Sequence, residues 1–141
     1  MTDATMIKTV FLAVPRETAW AYLTEADKLA EWFMPAEADL VEGADYALMG
    51  TGDDGEAKRQ CWGKVLEMDA PSKLRQTFTI TPMAGVESEL EWTLEAVGEG
   101  TRITLKHSGL GALGAEAFGL FSALDAGWDK HFASLRGATS A

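Results

Sequence analysis

Few side chains in this 141-residue sequence could move a proton, hold a metal or attack a carbonyl, because it contains only two histidines and one cysteine. His107 closes the run TRITLKH at 101–107. It shares the parity of Ile103 and Leu105, so its ring is expected to face inward. An imidazole there could act as a general base in a cavity, or simply donate to a backbone carbonyl within the core. His131 stands late on an amphipathic stretch beside Phe132 and reads as a surface histidine near a helix C-terminus. Cys61 adjoins Trp62. A nucleophilic thiolate needs a base and an oxyanion site around it, and no motif supplies either.

Metal and nucleotide chemistry find no pattern. The histidines and the cysteine are too scattered for a zinc site, and DDGE at 53–56 lacks the rest of a calcium loop. Glu87, Glu89, Glu91 and Glu95 alternate with apolar positions, which projects them into solvent rather than into a ligand cluster. The glycines of MGTGDDG at 49–55 are not followed by the lysine, hydroxyl residue and helix of a phosphate cradle. No metal and no cofactor are therefore expected. The net charge of -10 disfavours nucleic acid and anionic lipid surfaces as partners. The opening MTDATMIKTVFLAV lacks a basic region leading into an uninterrupted apolar run, and no window approaches a membrane span, so membrane insertion is not expected and a cytoplasmic location is. A single cysteine excludes an intrachain disulfide and is compatible with a reducing compartment.

The elements that must position these residues follow from changes of period. MIKTVFLAV at 6–14 reads as a first strand with Ile7, Phe11 and Ala13 turned inward. After Pro15, Trp20 and Leu23 share a helical face; a second short helix presents Leu29, Trp32 and Phe33 before Pro35 stops it. Strand patterns are expected near 37–41, 44–50, 58–68 and 73–81, separated by turn-forming VEGAD, GTGDDGE and DAPS. In VESELEWTLEA, Val86, Ser88, Leu90, Trp92 and Leu94 form the buried face, and the GEG turn at 98–100 leads into Ile103, Leu105 and His107. The count is about six or seven strands. Leu113, Ala117, Leu120, Phe121, Leu124, Trp128, Phe132 and Leu135 then recur at spacings of three and four, a stripe that suits a long helix lying across a sheet, with Glu116, Asp125, Asp129 and Lys130 opposite. Gly119 and Gly127 interrupt that helix, which implies close backbone approach, a bend or tolerance. Length and an ordinary balance of 47% hydrophobic and 24% charged residues fit a single domain over 1–141, with its core at about 6–136.

This order, together with PRETAWAYLTEADKLAEWFMP at 15–35, Gly43, the DG at 54–55, WGKVLEMDAPSKLRQTF at 62–78, GEGTRITLKHSG at 98–109, and the GW at 127–128 followed by Leu135, resembles the activator-of-heat-shock-protein-90-ATPase-like family of the START-like (SRPBCC) superfamily. The chain departs from the family pattern at Gly43-Ala44 and Trp32-Phe33. The resemblance implies an α+β helix-grip fold: a curved antiparallel sheet wrapped around the long C-terminal helix, with two short helices after the first strand and an apolar cavity between sheet and helix. Alternation and resemblance together nominate Trp32, Phe33, Phe78, Trp92, His107, Phe121, Leu124 and Trp128 as ligand-lining residues. The competing reading makes the same aromatics plain core.

Three functions are compatible with such a domain, in this order: binding of a hydrophobic small molecule or lipid; a cavity enzyme of cyclase, dehydratase or hydrolase type using His107; and stimulation of a chaperone ATPase, with a chaperone as partner. A homodimer is compatible with alternating apolar positions on an edge strand, and the sequence leaves open which edge is free.

Overall fold

The computed structural model describes residues 5–51, 55–80, 87–109 and 117–139. In chain order these form β1 (Met6–Leu12), α1 (Arg16–Thr24), α2 (Ala26–Trp32), β2 (Asp45–Thr51), β3 (Ala57–Asp69), β4 (Lys73–Ile80), β5 (Ser88–Val97), β6 (Gly100–Ser108) and α3 (Ala117–Thr139). The strands make one six-stranded sheet in the order β1-β6-β5-β4-β3-β2, antiparallel throughout. The long helix α3 and the short pair α1–α2 pack on one face of it, which is the START-like helix-grip arrangement that the family resemblance implied.

Local chemistry explains the boundaries. Pro15 sets an extended φ of -69° and its carbonyl accepts from Ala19 N at 3.0 Å, opening α1. Glu25 is extended and separates the two helices, while Ala26 N donates to Asp39 Oδ1 at 2.8 Å, so an acidic side chain from the following loop satisfies an N-terminal donor of α2. Register shifts between Leu48 and Met49 on β2 and between Val65 and Glu67 on β3 bend the sheet. Gly63 lies where β3 crosses β4 so closely that a Cβ would collide with the Thr77 carbonyl. The β5–β6 hairpin turns through Gly98 at a φ of 59°, a conformation glycine adopts without strain.

Two expectations are corrected here. The segment at 37–41 is not a strand: the nearby chain makes only an isolated bridge, Ala36 against Leu48. The facing of β1 is also the reverse of that expected. Met6, Val10 and Leu12 are buried, whereas Ile7 and Phe11 are 65% and 54% exposed. The Lys8 side chain shares the inner parity of Met6 and Val10, and its Nζ lies 2.9 Å from Asp125 Oδ1 and 2.6 Å from Asp129 Oδ1 of α3. A lysine turned inward is tolerable when its stem packs on apolar surface and its ammonium meets opposite charge, and two carboxylates one helical turn apart provide that. Hydrogen bonding to Asp129, aided by Asp125, raises the Lys8 pKa against the opposing effect of burial. Apart from Lys8 on one and Thr9 on the other, both faces of the strand are apolar; the one that is buried carries Met6, Val10 and Leu12, and the charge pairing with the helix lets Lys8 share it.

On β5 and β6 the expected alternation holds, with Val86 outside the described residues. Ser88, Leu90, Trp92 and Leu94 are buried on β5, as are Ile103, Leu105 and His107 on β6. Trp128, Phe132 and Leu135 carry the buried stripe of α3, while Leu113 falls outside the described residues. Gly127 is not a point of close approach, since a Cβ there would meet no atom within 4 Å.

The facing of β1 can be checked by urea unfolding of dilute protein: Leu12→Ala is expected to cost roughly 3 kcal/mol, as a buried leucine truncated to alanine does, and Ile7→Thr less than about 0.5 kcal/mol.

Candidate functional site

The inner face of the sheet is organised around Trp128. Its ring lies 5.4 Å from Phe33, 6.0 Å from Phe78, 5.7 Å from Trp92 and 5.9 Å from Phe132, centroid to centroid. Trp32, at the end of α2, stacks on Phe33 at 5.3 Å and meets Trp92 edge-on at 6.3 Å. Such rings bury large apolar areas, but each indole brings one donor that must be satisfied out of water. All three indoles are tethered. Trp32 Nε1 donates to the Tyr22 carbonyl at 2.7 Å, Trp92 Nε1 to Gln76 Oε1 at 3.2 Å, and Trp128 Nε1 to His107 Nδ1 at 3.3 Å.

The last contact fixes the state of His107. Because Nδ1 accepts from the indole, the ring proton sits on Nε2, which donates to Ser88 Oγ at 2.8 Å; Ser88 in turn donates to the Phe78 carbonyl at 2.7 Å. His107 is fully buried, and burial pushes its pKa down to about 4. Both ring nitrogens are committed, so the histidine reaches a backbone carbonyl through a serine instead of donating to it directly. A parallel chain runs beside it. Trp92 donates to Gln76, Gln76 hydrogen-bonds Tyr46, and the Tyr46 hydroxyl donates to the Thr77 carbonyl at 2.6 Å. Burial raises the Tyr46 pKa, against the opposing effect of the Gln76 hydrogen bond.

Two spaces remain between these rings. The smaller, about 20 Å³, lies under α2 among Trp32, Phe33, Trp92, Leu90, Tyr46 and Gln76, and would hold about one water. The larger is a half-open cleft of about 120 Å³ between α3 and the strands β3 and β4. Phe33, Phe78, Leu124 and Trp128 form its walls, with Met34, Cys61, Ile80 and His131 completing it and Gly127 leaving its helical side open. Phe33 is common to both spaces. Among the described residues the rings thus fill most of the space around Trp128, and this cleft is an apolar opening beside them.

Of the eight residues nominated from sequence, Phe33, Phe78, Leu124 and Trp128 line the cleft, and Trp32 and Trp92 line the small space together with Phe33. His107 lines neither and stands behind Phe78, 5.3 Å away, and Trp128, 6.2 Å away. The side chain of Phe121 lies outside the described residues. His131 was expected on the surface. It is half-buried, edge-on to Phe33 at 4.5 Å, with its pKa lowered by burial despite a hydrogen bond to the Trp32 backbone. Its signal in the sequence was the spacing of three from Trp128, which puts both on one helical face. Cys61 is buried and stands directly opposite Ile80 across the β3–β4 ladder, and burial alone pushes its thiol up to about 12. A thiol so placed packs as a small apolar group. Among the described residues no group of three or more histidine, cysteine or acidic side chains could hold a metal ion, and no helix is long and apolar enough to cross a membrane.

The fold and its aromatic interior define a START-like helix-grip domain. The family profile described as Activator of Hsp90 ATPase homolog 1-like protein matches residues 13–139, and the chain belongs to that family. Among solved structures it is similar to CalU16 from Micromonospora echinospora, with 22% identity and a TM-score of 0.78 over 98% of this chain and 77% of that one. Protein MLL2253 from Mesorhizobium loti shares 22% identity with a TM-score of 0.77, covering 96% of both chains. PFC0360w, an HSP90 activator from Plasmodium falciparum, is 22% identical with a TM-score of 0.62 over 74% of this chain and 72% of its own. At these identities the likeness is one of fold. No curated protein matches the sequence.

Two measurements test the chemistry of this interior. Because the folded pKa of His107 lies below its unfolded value, the unfolded chain binds more protons between pH 6.5 and 4; that stability is complete above pH 6.5 and is lost as the pH falls. Wild-type protein should lose roughly 3 kcal/mol more than His107→Gln over that interval in denaturant titrations, and equal losses would show that His107 is not held neutral. Native Cys61 should react with a chromogenic disulfide reagent only at the rate of unfolding; prompt labelling at mildly alkaline pH would contradict its burial.

Proposed function

We propose that this protein binds a small apolar molecule of about the size of a single aromatic ring system in the cleft between α3 and β3–β4. The observation that carries this reading is the cleft itself, about 120 Å³ of half-open space walled by Phe33, Phe78, Leu124 and Trp128. A dry cavity of roughly 150 Å³ admits benzene, so a compact ring is the natural occupant and a long acyl chain is not, unless α3 or Phe33 shifts. Binding would remove ligand surface from water at roughly 25 cal/mol per Å². His131 at the wall offers a polar group to orient a hydroxyl or carbonyl on the ligand.

Proton-transfer catalysis by His107 has weaker support, since both its nitrogens are bonded and it lines no open space. A chaperone partner is the second reading. Its support is the family match, together with the fold shared with an HSP90 activator. A cytoplasmic location accords with either.

The binding reading is tested with a panel of mono- and bicyclic aromatics and fatty acids, followed by tryptophan emission and thermal shift. Small aromatics should raise the melting temperature and change the emission of Trp128, whereas fatty acids should do neither. Gly127→Leu, which places a side chain where no atom now lies within 4 Å of a Cβ, should fold normally and lose the response. Absence of any shift in the wild type at saturating ligand discards the reading.

A further inference from the structure

The two edges of the sheet are finished differently. At the β2 edge the chain at 35–37 supplies main-chain partners: Glu37 N donates to Ala47 O at 3.0 Å, Met49 N donates to Pro35 O at 2.6 Å, and Ala36 bridges Leu48. At the β1 edge no main chain among the described residues does the same. β1 ends the strand order and pairs only with β6, in an unbroken register from Met6↔His107 to Leu12↔Thr101. An open edge is blunted by a proline, a bulge, a short strand or a charged side chain, an inward-pointing one included. β1 has no proline and no bulge, and the charge of its inward lysine is already matched by Asp125 and Asp129, so a strand added at this edge would bury no unpaired charge. What β1 shows to solvent is Ile7 and Phe11, 65% and 54% exposed, on either side of Thr9.

We propose that the β1 edge and the adjoining flank of α3 form an isologous interface with a second copy of this chain, on a twofold axis passing beside Thr9. Antiparallel pairing about Thr9 sets Ile7 against Phe11 of the partner subunit, and Phe11 against Ile7 of the partner subunit, so each exposed apolar side chain gains an apolar neighbour. The helix supports the same axis independently. A groove of about 200 Å³ between β1 and α3 is lined by Thr9, Val10, Asp129, Phe132, Ala133 and Arg136. Two antiparallel copies of α3 related by a twofold beside Phe132 and Ala133 place Asp129 opposite Arg136 of the partner subunit, and Arg136 opposite Asp129 of the partner subunit. The centre of the strand stretch and the centre of the helix stretch line one groove, so a single axis satisfies both. Asp129 binds Lys8 through Oδ1 and keeps its side chain 64% exposed, which leaves its second oxygen able to accept a further donor. Copies carrying -10 each repel, and at this edge the β6 residues in register with Ile7 and Phe11 are the basic Lys106 and Arg102. The inference does not depend on the cleft or on any ligand in it.

Sedimentation equilibrium over a wide concentration range tests it. The wild type is expected to show a reversible monomer–dimer equilibrium. The double variant Ile7→Lys, Phe11→Lys should be monomeric with an unchanged circular dichroism spectrum, and Arg136→Glu should weaken the dimer at least several-fold by facing Asp129 with a like charge. Thr9→Cys should give an interchain disulfide on mild oxidation, since residues facing across an antiparallel pair lie about 4.5 to 5.5 Å apart at Cα, within disulfide range. Cys61 does not compete, being buried. If the double lysine variant fails to fold, the cross-link and Arg136→Glu decide the matter. A wild type that stays monomeric into the millimolar range overturns the proposal. So does a dimer that ignores Arg136→Glu and does not cross-link through Thr9→Cys, because its interface must then lie elsewhere.

Discussion

The indole N–H of Trp128 imposes the constraint on which the rest of the interior depends. A tryptophan at the centre of an apolar core contributes a large buried surface, but its single donor must find an acceptor there, since an unpaired one costs about 1 to 3 kcal/mol. The acceptor is His107 Nδ1, and accepting fixes the tautomer of the imidazole. The proton left on Nε2 then needs its own acceptor, supplied by Ser88, whose hydroxyl passes the demand on to the Phe78 carbonyl. One requirement on α3 thus propagates through β6 and β5 to β4, locking the helix to three strands by hydrogen bonds of a single polarity. Trp92, Gln76, Tyr46 and the Thr77 carbonyl repeat the device one strand over, with the same end point on β4.

That construction has a consequence for function. Trp128 and Phe78 are simultaneously walls of the open cleft and the two ring neighbours of His107, so the polar chain holds the shape of the apolar space while staying out of it. A neutral, doubly bonded histidine is suited to that positioning task. Beneath α2 the space is small, about 20 Å³, because Trp32, Phe33 and Trp92 pack against one another there.

At the other flank the seating of α3 depends on charge. Lys8 joins the edge strand to Asp125 and Asp129, and in doing so it turns Ile7 and Phe11 out to solvent. The aromatic side of the helix and its acidic side therefore perform complementary tasks: one holds the sheet from within, the other secures its margin.

What the sequence by itself determined is the set of elements and, for β5, β6 and α3, the faces they bury. Strict alternation from Ser88 to Leu94 and from Ile103 to His107, and the three-and-four spacing of Trp128, Phe132 and Leu135, leave one way to hide apolar surface, and the family pattern followed from their order. Four of the ten residues that line the cleft, Phe33, Phe78, Leu124 and Trp128, were legible from alternation and the family resemblance together. Cys61 and His131 were not legible as cleft residues, because their types suggest chemistry or surface, and only the register with Ile80 and the approach of Phe33 bring them to the wall. The direction of β1 was settled by tertiary structure alone. Both parities of β1 are mainly apolar and Lys8 made Ile7 and Phe11 the expected inner face, but the carboxylates that receive Lys8 lie more than a hundred residues away, and a local pattern carries no information about a charge that only folding brings near. Whether the space beneath the helix was filled or hollow was likewise a three-dimensional matter, decided by how the rings of α2, β5 and α3 interlock.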